Sequence, residues 1–271
     1  MGHEVVVIIG TGGMGVSIAR RQAAGRQVLL ADFAEQALEG HVSILSDEGF
    51  DVIAQPVDVS SADSVAGLVD RAGALGTVTQ VVHTAGLSPV QASTEAILKV
   101  DLLGVALSLD AFGEVIAEGG AGVVIASMAG HMFPPLPAEQ AKALATTPAA
   151  DLLALDFLQT DVIANPGQAY GIAKQANHFR VRAASRSWGA RGARLNSISP
   201  GVISTAMGQA ELRGESGQVM RSFIDMSGTG RIGTASDIAD AAAFLLGPAA
   251  SFITGTDLLV DGGVIGALTT S

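Results

Sequence analysis

The sequence predicts a doubly wound α/β fold, in which helices cover both faces of a seven-stranded parallel sheet. Two observations indicate this fold: short β-branched, apolar runs alternate with longer alanine-rich segments, and the runs lack the polar alternation of a half-exposed strand. No repeat and no linker-like tract divides the 271 residues, so one domain over residues 1–271 is expected. The predicted strands are residues 4–9, 27–31, 51–55, 78–83, 122–126, 193–198 and 257–260.

Two segments depart from this alternation. An insertion at about residues 132–168 opens with Pro134-Pro135-Leu136-Pro137 and continues through an apolar and acidic stretch, around residues 152–158, for which a helix is expected. The segment at about 206–230 is rich in Gly, Ser, Met and Glu. That composition is typical of a mobile flap, so we expect this segment to cover a substrate pocket.

Composition excludes several classes of partner. A formal net charge of −11 and a pI near 4.7 argue against nucleic acid and against an anionic membrane surface. No cysteine is present, so disulfides and thiolate metal sites are excluded. The start of the chain lacks the features of a signal peptide and no apolar run is long enough for a membrane span, which predicts a soluble cytoplasmic protein. The five histidines show no metal-ligand spacing, and no catalytic metal is expected.

A glycine-rich turn follows the first predicted strand. The sequence Gly10-Thr11-Gly12-Gly13-Met14-Gly15 leads directly into a predicted helix. Glycines in this context permit a tight turn and let backbone amides approach a pyrophosphate at the positive end of a helix. The motif therefore predicts a dinucleotide site that includes Gly10, Gly12, Gly13, Met14 and Gly15; a glycine turn without a ligand is the alternative.

An acidic residue ends the second predicted strand. Asp32 stands where a carboxylate accepts hydrogen bonds from an adenosine ribose and repels a 2′-phosphate, and no Arg or Lys follows it directly. The position favours NAD over NADP. A loop residue that caps a helix is the alternative.

The only tyrosine of the chain precedes a lysine by one helical turn, in Tyr170-Gly171-Ile172-Ala173-Lys174. A helix is predicted from about residue 167 to 188, and side chains four residues apart on a helix share a face. A positive charge about 4 Å from a phenol, at an effective dielectric of about 20, favours the phenolate by roughly 4 kcal/mol, or about three pKa units. The pair is therefore suited to general acid/base catalysis, although an ordinary helical pair is the commoner outcome of such spacing.

Further motifs occur in a fixed order along nearly the whole chain. They are Val57-Asp58-Val59, Thr84-Ala85-Gly86, Ser127 at the end of the fifth strand, Tyr170 with Lys174, Pro200-Gly201-Val202-Ile203-Ser204-Thr205, Ile253-Thr254-Gly255 and Val260-Asp261-Gly262-Gly263. Together with the glycine turn, these motifs resemble those of the classical short-chain dehydrogenase/reductases. The resemblance implies a Rossmann fold and NAD-dependent interconversion of a secondary alcohol and a ketone.

The resemblance also implies roles for individual residues. Tyr170 would be the general acid/base, Ser127 would hydrogen-bond the reacting oxygen, and Lys174 would lower the pKa of Tyr170 while binding the nicotinamide ribose. Hydride transfer needs a proton to move with it, which is why a base and an oxygen-binding donor are required. The further cofactor-binding residues that the resemblance implies are Asp58, Val59, Thr84, Ala85, Gly86, Pro200, Gly201, Ile203 and Thr205.

The chain departs from the family pattern at three places. Ile9 replaces the threonine that usually precedes the glycine motif. Asp101 stands where the family usually has an asparagine that supports a water-mediated proton relay. An aspartate there is expected to accept from water or to pair with Lys174, and a helix-interior aspartate satisfied by solvent is the alternative. The interval between Ser127 and Tyr170 is far longer than in most members and contains the insertion, as in some bacterial hydroxysteroid dehydrogenase/carbonyl reductases.

Two classes of function remain open at this stage. The first is an enzyme acting on a small-molecule alcohol or ketone; Met220, Phe223 and Met226 in the flap favour an apolar one, although such residues are also ordinary packing. The second is a catalytically weak or inactive NAD(H)-binding sensor on the same fold, suggested by Asp101 and the altered glycine turn. By resemblance a homodimer or homotetramer is expected. The insertion lies beside the helix through which family members commonly pair, so it is expected to cap the pocket, to alter that interface, or both.

Overall fold

The computed structural model describes residues 3–270 and contains the predicted doubly wound fold. Seven parallel strands form the main sheet in the order β3-β2-β1-β4-β5-β6-β9, and β7 pairs with β8 in a small separate sheet. The strands are β1 (Glu4–Ile9), β2 (Gln27–Asp32), β3 (Asp51–Pro56), β4 (Thr77–His83), β5 (Ala121–Ile125), β6 (Arg194–Pro200), β7 (Ile203–Ser204), β8 (Gly233–Thr234) and β9 (Asp257–Val260). All seven predicted strands are confirmed. The strand order reverses between β1 and β4, where this architecture forms a ligand crevice.

Helices cover both faces of the sheet. They are α1 (Gly13–Gln22), α2 (Glu35–Asp47), α3 (Ala62–Leu75), α4 (Thr94–Ile97), α5 (Gly104–Gly113), α6 (Ala129–Met132), α7 (Ala138–Thr146), α8 (Ala149–Leu152), α9 (Pro166–Ala190), α10 (Ala206–Arg213), α11 (Gly217–Met226), α12 (Ala235–Leu246) and α13 (Val264–Thr270). A π-helix (Leu98–Leu103) joins α4 to α5, and two 3-10 turns (Asp156–Leu158, Pro248–Ala250) complete the set. None of the helices in this described part of the chain has the length and apolarity to cross a membrane.

The continuous apolar runs of the strands serve two separate cores. In β1, Val6 and Ile8 belong to the core on one side of the sheet, whereas Val5, Val7 and Ile9 belong to the core on the other side. Successive side chains of a strand point to opposite faces, so a strand covered by helices on both sides must be apolar throughout. The pattern from which the fold was predicted is thus a direct result of this double burial.

Helix α9 positions the tyrosine and the lysine of the predicted motif. It begins where Asn165 Oδ1 accepts a hydrogen bond from the Gln168 amide at 3.0 Å, with Pro166 at the first helical position. Near its other end, the fully buried Trp188 donates from Nε1 to the Leu109 carbonyl oxygen at 3.1 Å. The helix is therefore fixed at both ends against the rest of the domain.

The insertion packs against α9 and the π-helix. Its buried residues Leu144, Leu152 and Leu158 join a third apolar core that also contains Leu102 from the π-helix and Ile172 from α9. The side chain of Gln175 on α9 holds the start of the insertion, donating to the Pro134 carbonyl at 3.2 Å and accepting from the Leu136 amide at 3.2 Å. The insertion thus covers the helical face beside the site.

The flap segment consists of two helices. Thr205 caps the start of α10, since its hydroxyl accepts from the Gly208 amide at 3.2 Å, and α11 follows α10 along the chain. Phe223 of α11 is buried against Met128 and Val264, so this side chain packs in a small core of its own. The proposal that the segment moves as a flap remains a prediction.

Candidate active site

The glycine turn brings the loops after β1 and β4 into direct contact. Gly10 has a φ of +95°, and a Cβ there would lie 2.4 Å from the Ala85 nitrogen. A Cβ on Gly15 would lie 2.0 Å from the Gly10 carbonyl oxygen, which also accepts a hydrogen bond from Thr84 Oγ1 at 2.7 Å. In contrast, no atom lies within 4 Å of a Cβ built on Gly12, directly before α1. The start of α1 therefore faces open space with its amides available to an anion.

A cavity of about 650 Å³ occupies this crevice. The predicted cofactor residues that line it are Gly10, Gly12, Gly13, Met14, Gly15, Asp32, Asp58, Val59, Thr84, Ala85, Gly86 and Thr205. Sequence reasoning did not name as cofactor-binding the other residues that line it, which are Phe33, Val57, Ser60, Leu87, Ala96, Lys99, Val100, Ala206 and Met207. Gly201 and Ile203 line a neighbouring cavity of about 200 Å³ instead. Pro200 accepts a hydrogen bond at its carbonyl from the Met128 amide at 2.9 Å and lines neither.

The Asp32 carboxylate is held in place at the end of β2. Its Oδ2 accepts from the Thr11 amide at 2.6 Å and from Thr11 Oγ1 at 2.9 Å, and its Oδ1 accepts from the Ala34 amide at 3.0 Å. Three donors fix the acid at the wall of the cavity. Asp58 is fixed similarly, because its Oδ1 accepts from the amide and the hydroxyl of Ser60 at 2.9 and 2.7 Å.

Tyr170, Lys174 and Ser127 lie together, as the motif predicted. The Lys174 Nζ atom lies 5.2 Å from the centroid of the half-buried Tyr170 ring. Ser127 is close enough to Tyr170 to lower its pKa, and Ser127 Oγ accepts a hydrogen bond from the Ala129 amide at 3.1 Å. Lys174 approaches the large cavity through Gly86, where a Cβ would lie 3.4 Å from Lys174 Nζ, whereas Ser127 and Tyr170 do not line that cavity.

Asp101 forms a buried ion pair with Lys174. The Asp101 Oδ2 and Lys174 Nζ atoms are 3.0 Å apart, and the two side chains are 0% and 5% exposed. The other carboxylate oxygen accepts from the Leu87 amide at 2.8 Å. Asp101 belongs to the π-helix, a form that occurs frequently at functional sites. Of the two arrangements expected from the sequence, the structure contains the pairing with Lys174.

This ion pair changes the electrostatics of the tyrosine. Burial raises the pKa of Tyr170; the charge of Lys174 and the hydrogen bond of Ser127 lower it, while the charges of Asp101 and Glu211 raise it. The charge of Lys174 thus acts on the pKa of Tyr170 in the predicted direction, but burial and the two carboxylates outweigh it, and the net pKa is above the ordinary value. Burial alone would lower the pKa of Lys174, but Asp101 and Tyr170 outweigh it and raise that pKa, so the ammonium is retained.

One acidic residue near the site escaped the sequence analysis. Glu211 on α10 accepts at Oε1 from the Ser88 hydroxyl at 2.6 Å, and Ser88 is 1% exposed. Glu211 is also close enough to Tyr170 to act on its pKa. The contact joins the predicted flap to the loop after β4. No local pattern could reveal it, because the two residues belong to different elements far apart in the chain.

The fold and this group of side chains are those of the class of dinucleotide-binding oxidoreductases. Comparison with known families agrees. Residues 4–140 match the short chain dehydrogenase family, and residues 135–265 match the family described as enoyl-(acyl carrier protein) reductase. The chain belongs to the short-chain dehydrogenase/reductase family, as the sequence motifs predicted.

Individual relatives cover nearly the whole chain. A short-chain dehydrogenase/reductase, bsc3, of Alternaria brassicicola is 42% identical, over 99% of this chain and 98% of its own length. A 3-alpha-hydroxysteroid dehydrogenase/carbonyl reductase of Comamonas testosteroni is 29% identical, over 96% of each. A solved short-chain type dehydrogenase/reductase from Mycobacterium ulcerans superposes with a TM-score of 0.76 at 26% identity, over 97% of this chain and 90% of its own. The predicted likeness to bacterial hydroxysteroid dehydrogenases is thus confirmed.

Proposed function

We propose that the protein is an NAD(H)-dependent oxidoreductase that interconverts a secondary alcohol and a ketone, with Tyr170 as the general acid/base. The observation that carries the proposal is the contact of Tyr170 with Ser127 and the ammonium of Lys174, 5.2 Å from the ring. A phenol between a hydroxyl donor and a buried cation can exchange a proton with a substrate oxygen. The sole tyrosine of the chain occupies this position.

The residues present fit a nicotinamide dinucleotide. The 650 Å³ cavity, the open space at Gly12 and the exposed amides at the start of α1 suit a pyrophosphate. When bound, the nicotinamide supplies the hydride acceptor or donor for the reaction. Gly10, Gly12, Gly13, Met14 and Gly15 would hold the phosphates.

Further residues would hold the remaining parts of the cofactor. Asp58 and Val59 would lie against the adenine and Thr84, Ala85 and Gly86 against the ribose on the nicotinamide side. Lys174 and Tyr170 would contact that ribose. The segment that would hold the carboxamide is formed by Pro200, Gly201, Ile203 and Thr205.

The preference for NAD rests on Asp32. Its anchored carboxylate would accept from a ribose hydroxyl and repel a 2′-phosphate. Among the residues that line the cavity in the described chain, the only cation is Lys99, which is paired with Glu95 at 2.7 Å. We expect NADH to bind at least about tenfold more tightly than NADPH, a difference of about 1.4 kcal/mol. Asp32→Ala should reduce the ratio, and tighter NADPH binding by the unchanged protein would overturn the assignment.

The proton transfer follows from the positions of two hydroxyl groups. Ser127 would donate to the reacting oxygen, since its own oxygen already accepts from the Ala129 amide. Tyr170 would give its proton to a ketone oxygen or take one from an alcohol. Because its pKa is raised, the protonated form predominates at neutral pH, which favours ketone reduction there and alcohol oxidation in alkaline solution.

Replacement of the tyrosine tests the proposal directly. Tyr170→Phe removes one oxygen atom and should lower kcat by about 10²–10⁴-fold, while NADH affinity falls by no more than about tenfold, the effect of one lost hydrogen bond to the ribose. The activity is measured as NADH consumption with a panel of ketones, and NADH affinity by fluorescence titration. A Tyr170→Phe protein with full turnover would refute the role of the phenol.

The ion pair at Asp101 favours a second candidate function, an NAD(H)-binding sensor with weak catalysis. Asp101 offsets the charge of Lys174 and thereby raises the pKa of the proposed acid/base. The two functions separate in one assay: a sensor binds NADH but turns over none of the alcohols and ketones in the panel. Turnover that depends on Tyr170 would exclude the sensor.

We also propose a homo-oligomer that does not use the face of α9 covered by the insertion. The insertion buries Leu144, Leu152 and Leu158 on that face within one chain. Val162, which is 59% exposed on the insertion, should then remain accessible in the assembled protein. The chain has no cysteine, so Val162→Cys can be labelled selectively with a maleimide. Protection of this thiol in the oligomer would overturn the proposal.

A further inference from the structure

We propose that His131, His178 and Asp257 form a binding site for one divalent transition-metal cation of the zinc class. The three residues come from three elements, since His131 belongs to α6, His178 to α9 and Asp257 to the start of β9. The sequence analysis found no ligand spacing because these positions are far apart in the chain. The fold brings their nitrogen and oxygen atoms within 4.8 Å of one another.

The distances within this cluster suit one small ion. His131 Nε2 lies 2.8 Å from Asp257 Oδ2, and His178 Nε2 lies 3.4 Å from Asp257 Oδ1. Zinc bonds to histidine nitrogen and carboxylate oxygen are about 2.0–2.2 Å long, which puts two ligands of a tetrahedral ion roughly 3.4 Å apart. Small side-chain rotations therefore convert the cluster into a three-ligand site. Two imidazoles and one carboxylate are a typical donor set for such cations.

Two of the three proposed ligands are buried. The side chains of His178 and Asp257 are only 7% and 5% exposed. Ser197 donates from its hydroxyl to Asp257 Oδ1 at 2.6 Å, as outer partners of metal-binding carboxylates do. The Ser199 hydroxyl lies 2.9 Å from His178 Nε2 and is within reach as a fourth, oxygen ligand.

The third ligand gives the cation a route from solvent. The His131 side chain is 31% exposed, whereas its two partners lie behind it. His178 follows Tyr170 by two turns of α9, about 12 Å along the helix axis, so the ion would not touch the reacting atoms. It would tie the last strand of the sheet to α9 and to α6, which directly follows the loop of Ser127. We therefore assign a structural role that holds the catalytic segments together.

Metal titration of the whole, untagged protein tests this site. The protein is treated with a chelator, dialysed and titrated calorimetrically with zinc chloride, and cobalt chloride gives a visible spectrum that reports the coordination geometry. We expect one equivalent of zinc to bind, the Tm to rise with zinc concentration, and cobalt to give a tetrahedral spectrum. The variants are His131→Gln and Asp257→Asn, with His3→Gln as a matched control at an exposed histidine outside the cluster.

The variants should show whether the cluster is a metal site or only a group of side chains that hydrogen-bond one another. Loss of one ligand should weaken zinc binding by more than about 100-fold, beyond the loss that removal of an outer partner causes. The control should bind like the unchanged protein. Absence of stoichiometric binding, or equal binding by His131→Gln, would overturn the proposal. If Asp257→Asn fails to fold, the exposed His131→Gln decides alone. These measurements need neither substrate nor NADH, so they stand apart from the proposed activity.

Discussion

Replacement of Asp101 by asparagine should lower the pKa of Tyr170. The change removes one buried negative charge and keeps the shape of the side chain, whose Oδ1 can still accept from the Leu87 amide. The distances of 3.0 Å from Asp101 Oδ2 to Lys174 Nζ and 5.2 Å from Nζ to the ring centroid place the carboxylate at most about 8 Å from the ring. At an effective dielectric of about 20, a charge at that distance acts with about 2 kcal/mol.

This energy corresponds to about 1.5 pKa units, and the partial exposure of Tyr170 reduces it to about one unit. The chain contains one tyrosine, so the ultraviolet absorbance of tyrosinate during an alkaline titration reports Tyr170 alone. The pH dependence of kcat/KM gives a second, independent value. Both should shift to lower pH by a similar amount in Asp101→Asn.

The same substitution at an exposed site supplies the control. Asp70→Asn on α3 also removes one negative charge and should leave both titrations unchanged. If Asp101→Asn leaves the absorbance titration where it was, or moves it to higher pH while circular dichroism shows a folded protein, the electrostatic account of the site is wrong.

Three other changes have defined outcomes. Gly15→Ala should lower the Tm because its Cβ would lie 2.0 Å from a carbonyl oxygen, whereas Gly12→Ala, with no atom within 4 Å, should keep the Tm and weaken only NADH binding. Glu211→Gln keeps an acceptor for Ser88 but removes a charge, so the kinetic pKa of Tyr170 should fall; an unchanged pH profile would contradict this. Burial lowers the pKa of His83 from 6.5 to about 3, so between these pH values the unfolded chain binds one proton more than the folded chain. The free energy of unfolding should therefore fall by about 1.4 kcal/mol for each pH unit as the pH falls through this range. His83→Leu should remove that slope in urea unfolding experiments, and an equally steep loss in the variant would count against it.

The sequence was sufficient for the fold and for the local motifs because each depends on neighbours in the chain. The apolar strands follow from burial on both faces, and the Tyr170-Lys174 pair follows from helical spacing. The net pKa of Tyr170 could not be predicted in the same way, since burial and the charges of Asp101 and Glu211 are supplied by three separate elements. Pairing of Asp101 with Lys174 could be foreseen only as one of two options.

Contacts between side chains of distant elements could not be predicted from the sequence either, because they depend on how the elements pack. His131, His178 and Asp257 lie on two helices and the edge strand, and only the order of the strands brings them together. The placement of the insertion was also undetermined, because its apolar residues would suit either a pocket or a helical face. The structure contains the second arrangement: a Cβ on Gly171 would lie 2.5 Å from the Phe133 ring, so the start of the insertion packs directly on α9.

Packing of the insertion against α9 has a consequence for an isolated subunit. One side of α9 is covered by residues of the same polypeptide, through Gln175 and the third apolar core. If copies of this chain associate as proposed, dilution that separates them would leave α9 anchored and its apolar side out of water. Each chain thus supplies its own support for Tyr170 and Lys174, the proposed reacting groups.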